Sequence, residues 1–186
     1  PELIEEGRDL PMVVLTPMTP KLWERWHPTV VMALVDHAIR HHRVDPDRVY
    51  LSGVSLGGVA AWDTAIAYPD RTAAIAPVAA WGHPQGLERM VDVPVWAFHG
   101  ALDFAIPSSF QGRLIDRLRD LGGEPRFTVY PYGAHWIWDR TYRRDDLYAW
   151  LLEQSLAKRR SGCGGRLQAP AAPHHAPQDE RLEEGP

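Results

Sequence analysis

Cysteine and asparagine are the residues that this chain of 186 residues lacks most clearly. Cys163 is its single cysteine and no asparagine occurs, which excludes an intrachain disulfide framework, a zinc site built from cysteines and N-glycosylation. No apolar run approaches the roughly 18 residues of a membrane-spanning helix. No segment has the pattern of a secretory signal peptide, and the sequence does not distinguish a cytoplasmic protein from a secreted one.

A strong excess of charge is also missing, because the formal net charge is −4. A nucleic acid or an anionic membrane is therefore not expected as a partner. Hydrophobic residues make up 45% of the chain and charged residues 24%, which is typical of a globular domain. We expect one catalytic domain over residues 1–159. Residues 160–186 are rich in proline, glycine and charge, and they are expected to form a disordered tail.

Strand-like and helix-like segments alternate along the expected domain. Short apolar runs predict five strands, at residues 11–17, 49–53, 73–80, 93–100 and 126–131. Amphipathic or apolar segments between them predict helices at residues 28–42, 56–69, 108–123 and 144–160, with Ser108 or Ser109 as the N-cap of the third. This alternation predicts an α/β fold, a mostly parallel sheet flanked by helices.

Three glycines surround Ser55 in the stretch "YLSGVSLGG" at residues 50–58. The segment Gly53-Val54-Ser55-Leu56-Gly57 follows a predicted strand and opens a predicted helix, which is the context of a nucleophile elbow. The N–H of Leu56 would then point at the space where an oxyanion forms. The pattern alone is weak, since a tight packing turn or a phosphate-binding loop has the same composition. No dinucleotide or P-loop glycine pattern accompanies it.

A serine nucleophile needs a base, and the base needs an acid that orients it. Asp103 follows the predicted strand at residues 93–100, and His135 lies in a glycine-containing loop after the strand at residues 126–131. The carboxyl ends of parallel strands meet at one edge of a sheet, where ligands bind. Ser55, Asp103 and His135 are therefore the candidate nucleophile, acid and base. Asp70 is a rival acid, but its place after a proline is typical of a solvated turn.

The sequence resembles the α/β-hydrolase superfamily at "VDPDRVYLSGVSLGG", "YPDRTAAIAPVAAWG", "VPVWAFHGALDFAIP" and "TVYPYGAHWIWDRTYRRDDLYAWLLEQ". It looks closest to the serine carboxylesterase branch near dienelactone hydrolases, polyhydroxybutyrate depolymerases and feruloyl-esterase-like predicted peptidases. The resemblance covers about residues 10–156 and implies the triad Ser55, Asp103 and His135. It also implies that the first three strands of the family fold are missing, the third of which lies within the family's sheet. We therefore expect an N-terminally truncated chain that lacks the second oxyanion donor.

Other side chains near the predicted strand ends have several interpretations. Trp81 and Trp136 either line a substrate pocket or simply pack against the loops. His83 is a further pocket candidate. His99 lies within a strand and is expected to be structural. The pair His37 and His41 shares a helix face at metal-ligand spacing, but a solvated face is favoured and no metal or organic cofactor is expected.

Taken together, these patterns predict a serine hydrolase that cleaves carboxylic esters of small molecules through an acyl-enzyme intermediate. The sequence does not specify the acyl group, the alcohol or the oligomeric state. Three alternatives stay open: a serine peptidase of the prolyl-oligopeptidase type, a truncated non-catalytic module and an acyltransferase.

Overall fold

The structure is a computed structural model, and it describes residues 2–18 and 25–162 of the chain. Within these residues four strands form one sheet: β1 (Tyr50–Val54), β2 (Ala74–Val78), β3 (Trp96–Gly100) and β4 (Arg126–Tyr130). The α-helices are α1 (Glu2–Glu5), α2 (Pro28–His41), α3 (Leu56–Ala67), α4 (Ser108–Asp120), α5 (Trp138–Tyr142), α6 (Asp145–Leu152) and α7 (Leu156–Gly162). Short 3₁₀ turns occupy Pro69–Arg71 and Leu87–Met90.

The sheet is parallel throughout and has the order β1-β2-β3-β4. Strands that follow each other in the chain are also neighbours in the sheet. They run in the same direction because each connection crosses over the sheet. Serine, aspartate and histidine candidates follow β1, β3 and β4, so all of them lie at the carboxyl edge of the sheet. The predicted α/β fold with a parallel sheet flanked by helices is confirmed.

Two apolar clusters cover the two faces of the sheet. On one face α3 and α4 contribute Trp62 and Leu118, which pack against Val95 and Ala97 of the sheet. On the other face α6 packs Leu147, Trp150 and Leu151 against Trp96 and Phe98. Successive residues of β3 thus point to opposite faces, and the strand is buried along its whole length, as is expected for a parallel strand covered on both sides.

The predicted strand at residues 11–17 is wrong. These residues contain no strand, and their valines and leucine are largely exposed, Val13 at 53% and Leu15 at 48%. A cavity of about 870 Å³ separates this segment from β1, and its walls include both residues 10–17 and the outer edge of β1. A strand forms only where a neighbour accepts its backbone hydrogen bonds, and within the described residues this segment has no pairing with β1.

Two helix predictions also need correction. The helix predicted at residues 144–160 is divided into α6 and α7, because the Ser155 hydroxyl accepts a hydrogen bond from the Lys158 N–H at 3.1 Å and caps a new helix. The N-cap of α4 is Pro107, and no side chain caps this helix, whereas Ser108 or Ser109 was expected. Helix α7 runs to Gly162, past the expected start of the tail at residue 160. The rest of that tail lies outside the described residues.

Candidate active site

Ser55 occupies a sharp turn between β1 and α3, with φ 54° and ψ −118°. A non-glycine residue seldom adopts such a conformation, which stores roughly 1–3 kcal/mol of strain and occurs mainly at functional sites. The Ser55 N–H donates to the carbonyl oxygen of Val78 at 2.9 Å, and the Ser55 carbonyl oxygen accepts from the Val59 N–H at 3.0 Å. The turn is thereby fixed between β2 and the first turn of α3.

The three glycines around Ser55 have different roles. A Cβ added at Gly53 would lie 2.3 Å from the carbonyl carbon of Gly57, and one added at Gly58 would lie 2.6 Å from the Cβ of Ala80. Both glycines are therefore required for the close approach of α3 to the sheet. A Cβ at Gly57 would meet nothing within 4 Å, and this residue lines the cavity beside β1.

Leu56 is the first residue of α3. The first four N–H groups of an α-helix have no acceptor within the helix, and the helix dipole makes this end favourable for negative charge. The Leu56 N–H follows Ser55 directly in the chain. It is thus available for an oxyanion that develops next to the serine hydroxyl.

Asp103 and His135 form a hydrogen-bonded pair. The Asp103 side chain is fully buried, and its Oδ2 accepts a hydrogen bond from Nδ1 of His135 at 2.8 Å. Its Oδ1 accepts from the backbone N–H groups of Ala105 at 3.1 Å and Ile106 at 2.8 Å. These bonds fix the plane of the carboxylate, and they also fix the His135 tautomer, with the proton on Nδ1 and Nε2 free to accept a proton.

Opposing effects act on the pKa of Asp103. Burial would raise this pKa, but the hydrogen bond from the Ile106 N–H and the hydrogen bond and charge of His135, with a further contribution from the charge of His99, bring it below its ordinary value. Asp103 is therefore ionised at neutral pH. A buried carboxylate is stable only when its charge is paired and its oxygens are hydrogen-bonded.

A pair of glycines brings the histidine loop onto the end of β3. A Cβ at Gly100 would lie 2.3 Å from the carbonyl oxygens of Gly133 and Ala134, and one at Gly133 would lie 3.2 Å from the Cα of Gly100. The Leu102 N–H donates to the Gly133 carbonyl oxygen at 2.8 Å. Only glycines allow this approach of two backbones, and without it His135 would not reach Asp103.

The Ser55 hydroxyl is the one candidate group that is not joined to the pair. Among the residues that the structure describes, no hydrogen bond links this hydroxyl to His135. Asp103 and His135 follow adjacent strands, whereas β2 lies between the strands that precede Ser55 and Asp103. Hydrogen bonds between a nucleophile and its base are commonly long in the absence of substrate.

The tryptophan candidates occupy different environments. Trp136 is 72% exposed, and its ring lies edge-on to the His135 ring with the centroids 6.1 Å apart. Trp81 is half-buried beyond the end of β2, and the candidate His83 near it is exposed. The structure thus places Trp136 beside His135 and gives no comparable contact for Trp81 or His83 among the described residues.

Several residues that shape the site have weak sequence signals. Gly100 and Gly133 are ordinary turn residues by pattern, and their role appears only when the two loops meet. His99 and Gln111 contact each other behind Asp103, although they lie on different elements. The one available signal was the polarity of His99 in an otherwise apolar strand.

The two histidines of α2 contact each other. The rings of His37 and His41 stack with their centroids 4.1 Å apart. Across residues 2–18 and 25–162, no three His, Cys, Asp or Glu side chains come together as a candidate metal site. None of the described helices combines the length and the apolar character needed to cross a membrane.

Comparisons with known proteins bear on the family and the fold of this chain. A family model described as phospholipase/carboxylesterase matches residues 27–144. The structure is similar to that of a thermostable esterase, with 29% identity and a TM-score of 0.65 over 68% of this chain and 36% of that one. It is similar to esterase PE8, with 27% identity and a TM-score of 0.57 over 68% and 59% of the two chains.

A third similar structure is that of SOBER1 from Arabidopsis thaliana, with 20% identity, a TM-score of 0.58 and coverage of 68% and 61%, a likeness that shows the fold alone. The chain thus spans less than two thirds of the length of each of these proteins. A search of the curated proteins gives no match.

Proposed function

This chain belongs to the phospholipase/carboxylesterase family, and we propose that it hydrolyses carboxylic esters with Ser55 as nucleophile, His135 as base and Asp103 as acid. The observation that carries the proposal is the hydrogen bond of 2.8 Å between His135 Nδ1 and the buried Asp103 carboxylate. It lies at the same sheet edge as the strained turn at Ser55. A strained serine and a carboxylate-oriented histidine on one edge are the parts that acyl transfer requires.

The proposed reaction has two steps. In the first, Nε2 of His135 takes the Ser55 proton while the serine oxygen attacks the ester carbonyl carbon, and the Leu56 N–H stabilises the oxyanion. The alcohol leaves with the proton held by His135, and an acyl-enzyme remains. In the second step His135 takes a proton from water, the hydroxide attacks the acyl group, and the acid is released with the proton returned to Ser55.

The substrate class that fits this site is an apolar ester of a small molecule. Four large apolar side chains are exposed on the two loops that carry the acid and the base: Leu102 at 44%, Phe104 at 90%, Tyr132 at 90% and Trp136 at 72%. Exposed apolar groups at a site favour an apolar ligand. Trp136, with Trp81 as the weaker candidate, would contact the acyl group or an aromatic alcohol.

A non-catalytic module is the competing function. The observation in its favour is that the Ser55 hydroxyl has no hydrogen bond to His135 among the described residues, while β1 borders a cavity of about 870 Å³. In that case Asp103 and His135 would keep the arrangement typical of the family fold without a catalytic role, and Ser55 would not be activated.

Covalent labelling with a fluorophosphonate separates the two functions. We expect the native protein to be labelled at Ser55 and the heat-denatured protein not to be labelled, with the adduct located by mass spectrometry. Ser55→Ala should abolish labelling and lower ester turnover about 10⁴-fold or more, whereas the exposed control Ser109→Ala should behave like the parent. A folded parent that is not labelled would favour the non-catalytic module. Turnover of peptide substrates at a rate comparable to that of matched esters would favour the peptidase.

A further inference from the structure

His99 is a polar side chain at the centre of the fold that the proposed reaction does not use. It lies on β3 next to Gly100 and is fully buried. Its Nδ1 is 3.2 Å from Oε1 of Gln111 on α4. Its Nε2 is 2.9 Å from the carbonyl oxygen of Ile106 and 3.3 Å from Oδ2 of Asp103. Both ring nitrogens thus have defined partners away from solvent.

The orientation of the Gln111 amide is determined by the backbone. Oε1 accepts a hydrogen bond from the Ala80 N–H at 2.8 Å, and Nε2 donates to the Pro77 carbonyl oxygen at 3.2 Å. A backbone N–H can only donate and a carbonyl oxygen can only accept, so exchanging the two amide atoms would break both bonds. The atom that faces His99 Nδ1 is therefore an acceptor.

The partners of the two ring nitrogens indicate where His99 carries protons. Gln111 Oε1 beside Nδ1 is an acceptor, and so are the Ile106 carbonyl oxygen and the Asp103 carboxylate beside Nε2. A neutral imidazole would bring one unprotonated nitrogen against an acceptor. The imidazolium donates from both nitrogens, to Gln111 Oε1 and to the Ile106 carbonyl oxygen, and the Asp103 carboxylate 3.3 Å from Nε2 supplies the countercharge that a buried cation needs.

We propose that His99 is a positioning residue for the candidate acid Asp103. It is a buried imidazolium whose Nδ1 proton is bound by Gln111. It holds the Asp103 carboxylate in the orientation that His135 requires. The inference rests on the proposed function, since it takes Asp103 and His135 as acid and base. Oδ2 of Asp103 lies between Nε2 of His99 and Nδ1 of His135, and Oδ1 is held by two backbone N–H groups. With all four positions occupied, a rotation of the carboxylate would break at least one of these contacts.

The charges around His99 are consistent with this role. In the part of the chain that the structure describes, the titratable groups that face it are Asp103 and, beyond that carboxylate, His135. Gln111 from α4 and Ile106 from the loop contribute neutral acceptors. A positive charge on His99 would help to lower the pKa of Asp103 below its ordinary value. A cation at this place keeps the buried carboxylate ionised through the reaction.

Nitrogen NMR of the whole chain labelled with ¹⁵N-histidine tests the proton count without any substrate. At pH 8 solvated histidines are neutral, so we expect one histidine with both nitrogens protonated. That signal should vanish in His99→Gln and persist in the control His42→Gln, whose side chain is exposed. In Gln111→Met, Nδ1 loses its acceptor and the signal should change to a single protonated nitrogen. An unprotonated nitrogen on His99 in the parent, or an unchanged signal in Gln111→Met, would overturn the proposal.

The rate of fluorophosphonate labelling of the same variants tests the positioning role. We expect His99→Gln and Gln111→Met to react at least about tenfold more slowly than the parent, and His42→Gln to react at the parent rate. Equal rates in all four proteins would contradict the role of His99. A parent that does not react would instead contradict the proposed function, and the NMR result would still decide the charge of His99.

Discussion

The loops that carry Asp103 and His135 are bonded to each other, whereas the turn that carries Ser55 stands on the outer strand of the sheet beside a cavity. On the first side every carboxylate oxygen has two polar neighbours within 3.3 Å. On the second side, within residues 2–18 and 25–162, β1 pairs with β2 alone, and Gly57 faces open space. The acid–base side is therefore rigid by its contacts. The Ser55 turn carries backbone strain and is held by hydrogen bonds to β2 and to the first turn of α3.

This contrast indicates where substitutions will act through chemistry and where they will act through folding. The acid–base side is a network of buried polar groups, in which losing one partner leaves another buried group unpaired. The nucleophile side depends on close backbone approach at Gly53 and Gly58. A larger side chain at either position would therefore lower the stability of the fold.

Asp103→Asn should have the largest effect. The amide oxygen can still accept from the Ala105 and Ile106 N–H groups, but its NH₂ group then faces His135 Nδ1 and favours the wrong tautomer. We expect ester turnover, followed spectrophotometrically, to fall about 10³- to 10⁴-fold. The exposed Asp70, the rival acid by sequence, supplies the control, and Asp70→Asn should retain parent turnover. The reverse ranking would transfer the role of the acid to Asp70.

The sequence predicts the strands and helices on both sides of the site better than it predicts the contacts between them. Four strands and the main helices follow from short apolar runs and amphipathic spacing, because local burial determines both. The run at residues 11–17 has the same local pattern, yet it is not a strand, because pairing depends on a neighbour that the pattern does not encode. The break before α7 depends on one serine cap and on the bond from the Leu156 N–H to the Asp47 carbonyl oxygen.

The same limit applies to the site. Candidate residues after strand ends can be predicted from the sequence because parallel strands share one carboxyl edge. Two contacts cannot be predicted in this way: that of His99 with Gln111 and that of Gly100 with Gly133. Each joins two elements whose relative position is a property of the packed fold. Buried polar partners of this kind are visible only in three dimensions.

Gly100→Ala should disrupt the acid–base side through its backbone. The new Cβ would lie 2.3 Å from two carbonyl oxygens of the histidine loop, so that loop must move away from β3. We expect the free energy of unfolding to fall by about 3 kcal/mol and labelling of Ser55 to be lost with it. The control is Gly112→Ala in α4, whose Cβ would make an ordinary contact of 3.8 Å with Phe127. Urea denaturation that ranks the two variants equally would refute the steric account.

A pair of substitutions within the motif tests the nucleophile side. Gly53→Ala would place a Cβ 2.3 Å from the Gly57 backbone, whereas Gly57→Ala would meet nothing within 4 Å. We expect Gly53→Ala to lower the free energy of unfolding by about 2 kcal/mol. Gly57→Ala, in the first turn of α3, should change it by less than about 1 kcal/mol, in the stabilising direction. Similar losses in both variants would mean that the cavity beside β1 is filled in solution.

The pH dependence of stability should show the smallest effect, since burial and hydrogen bonding act on Asp103 in opposite directions. A carboxyl whose pKa is lower in the folded than in the unfolded state stabilises the fold above its unfolded pKa, and the contribution is lost as the pH falls through the folded pKa. The stability difference between the parent and Asp103→Asn should therefore be constant at neutral pH and shrink as the pH falls below the ordinary aspartate pKa of 3.8. Urea denaturation of both proteins between pH 7 and the acid limit of folding measures this difference. A difference that grows on acidification would mean that burial dominates and that Asp103 is protonated more readily in the fold than in the unfolded chain, which would weaken its assignment as the acid.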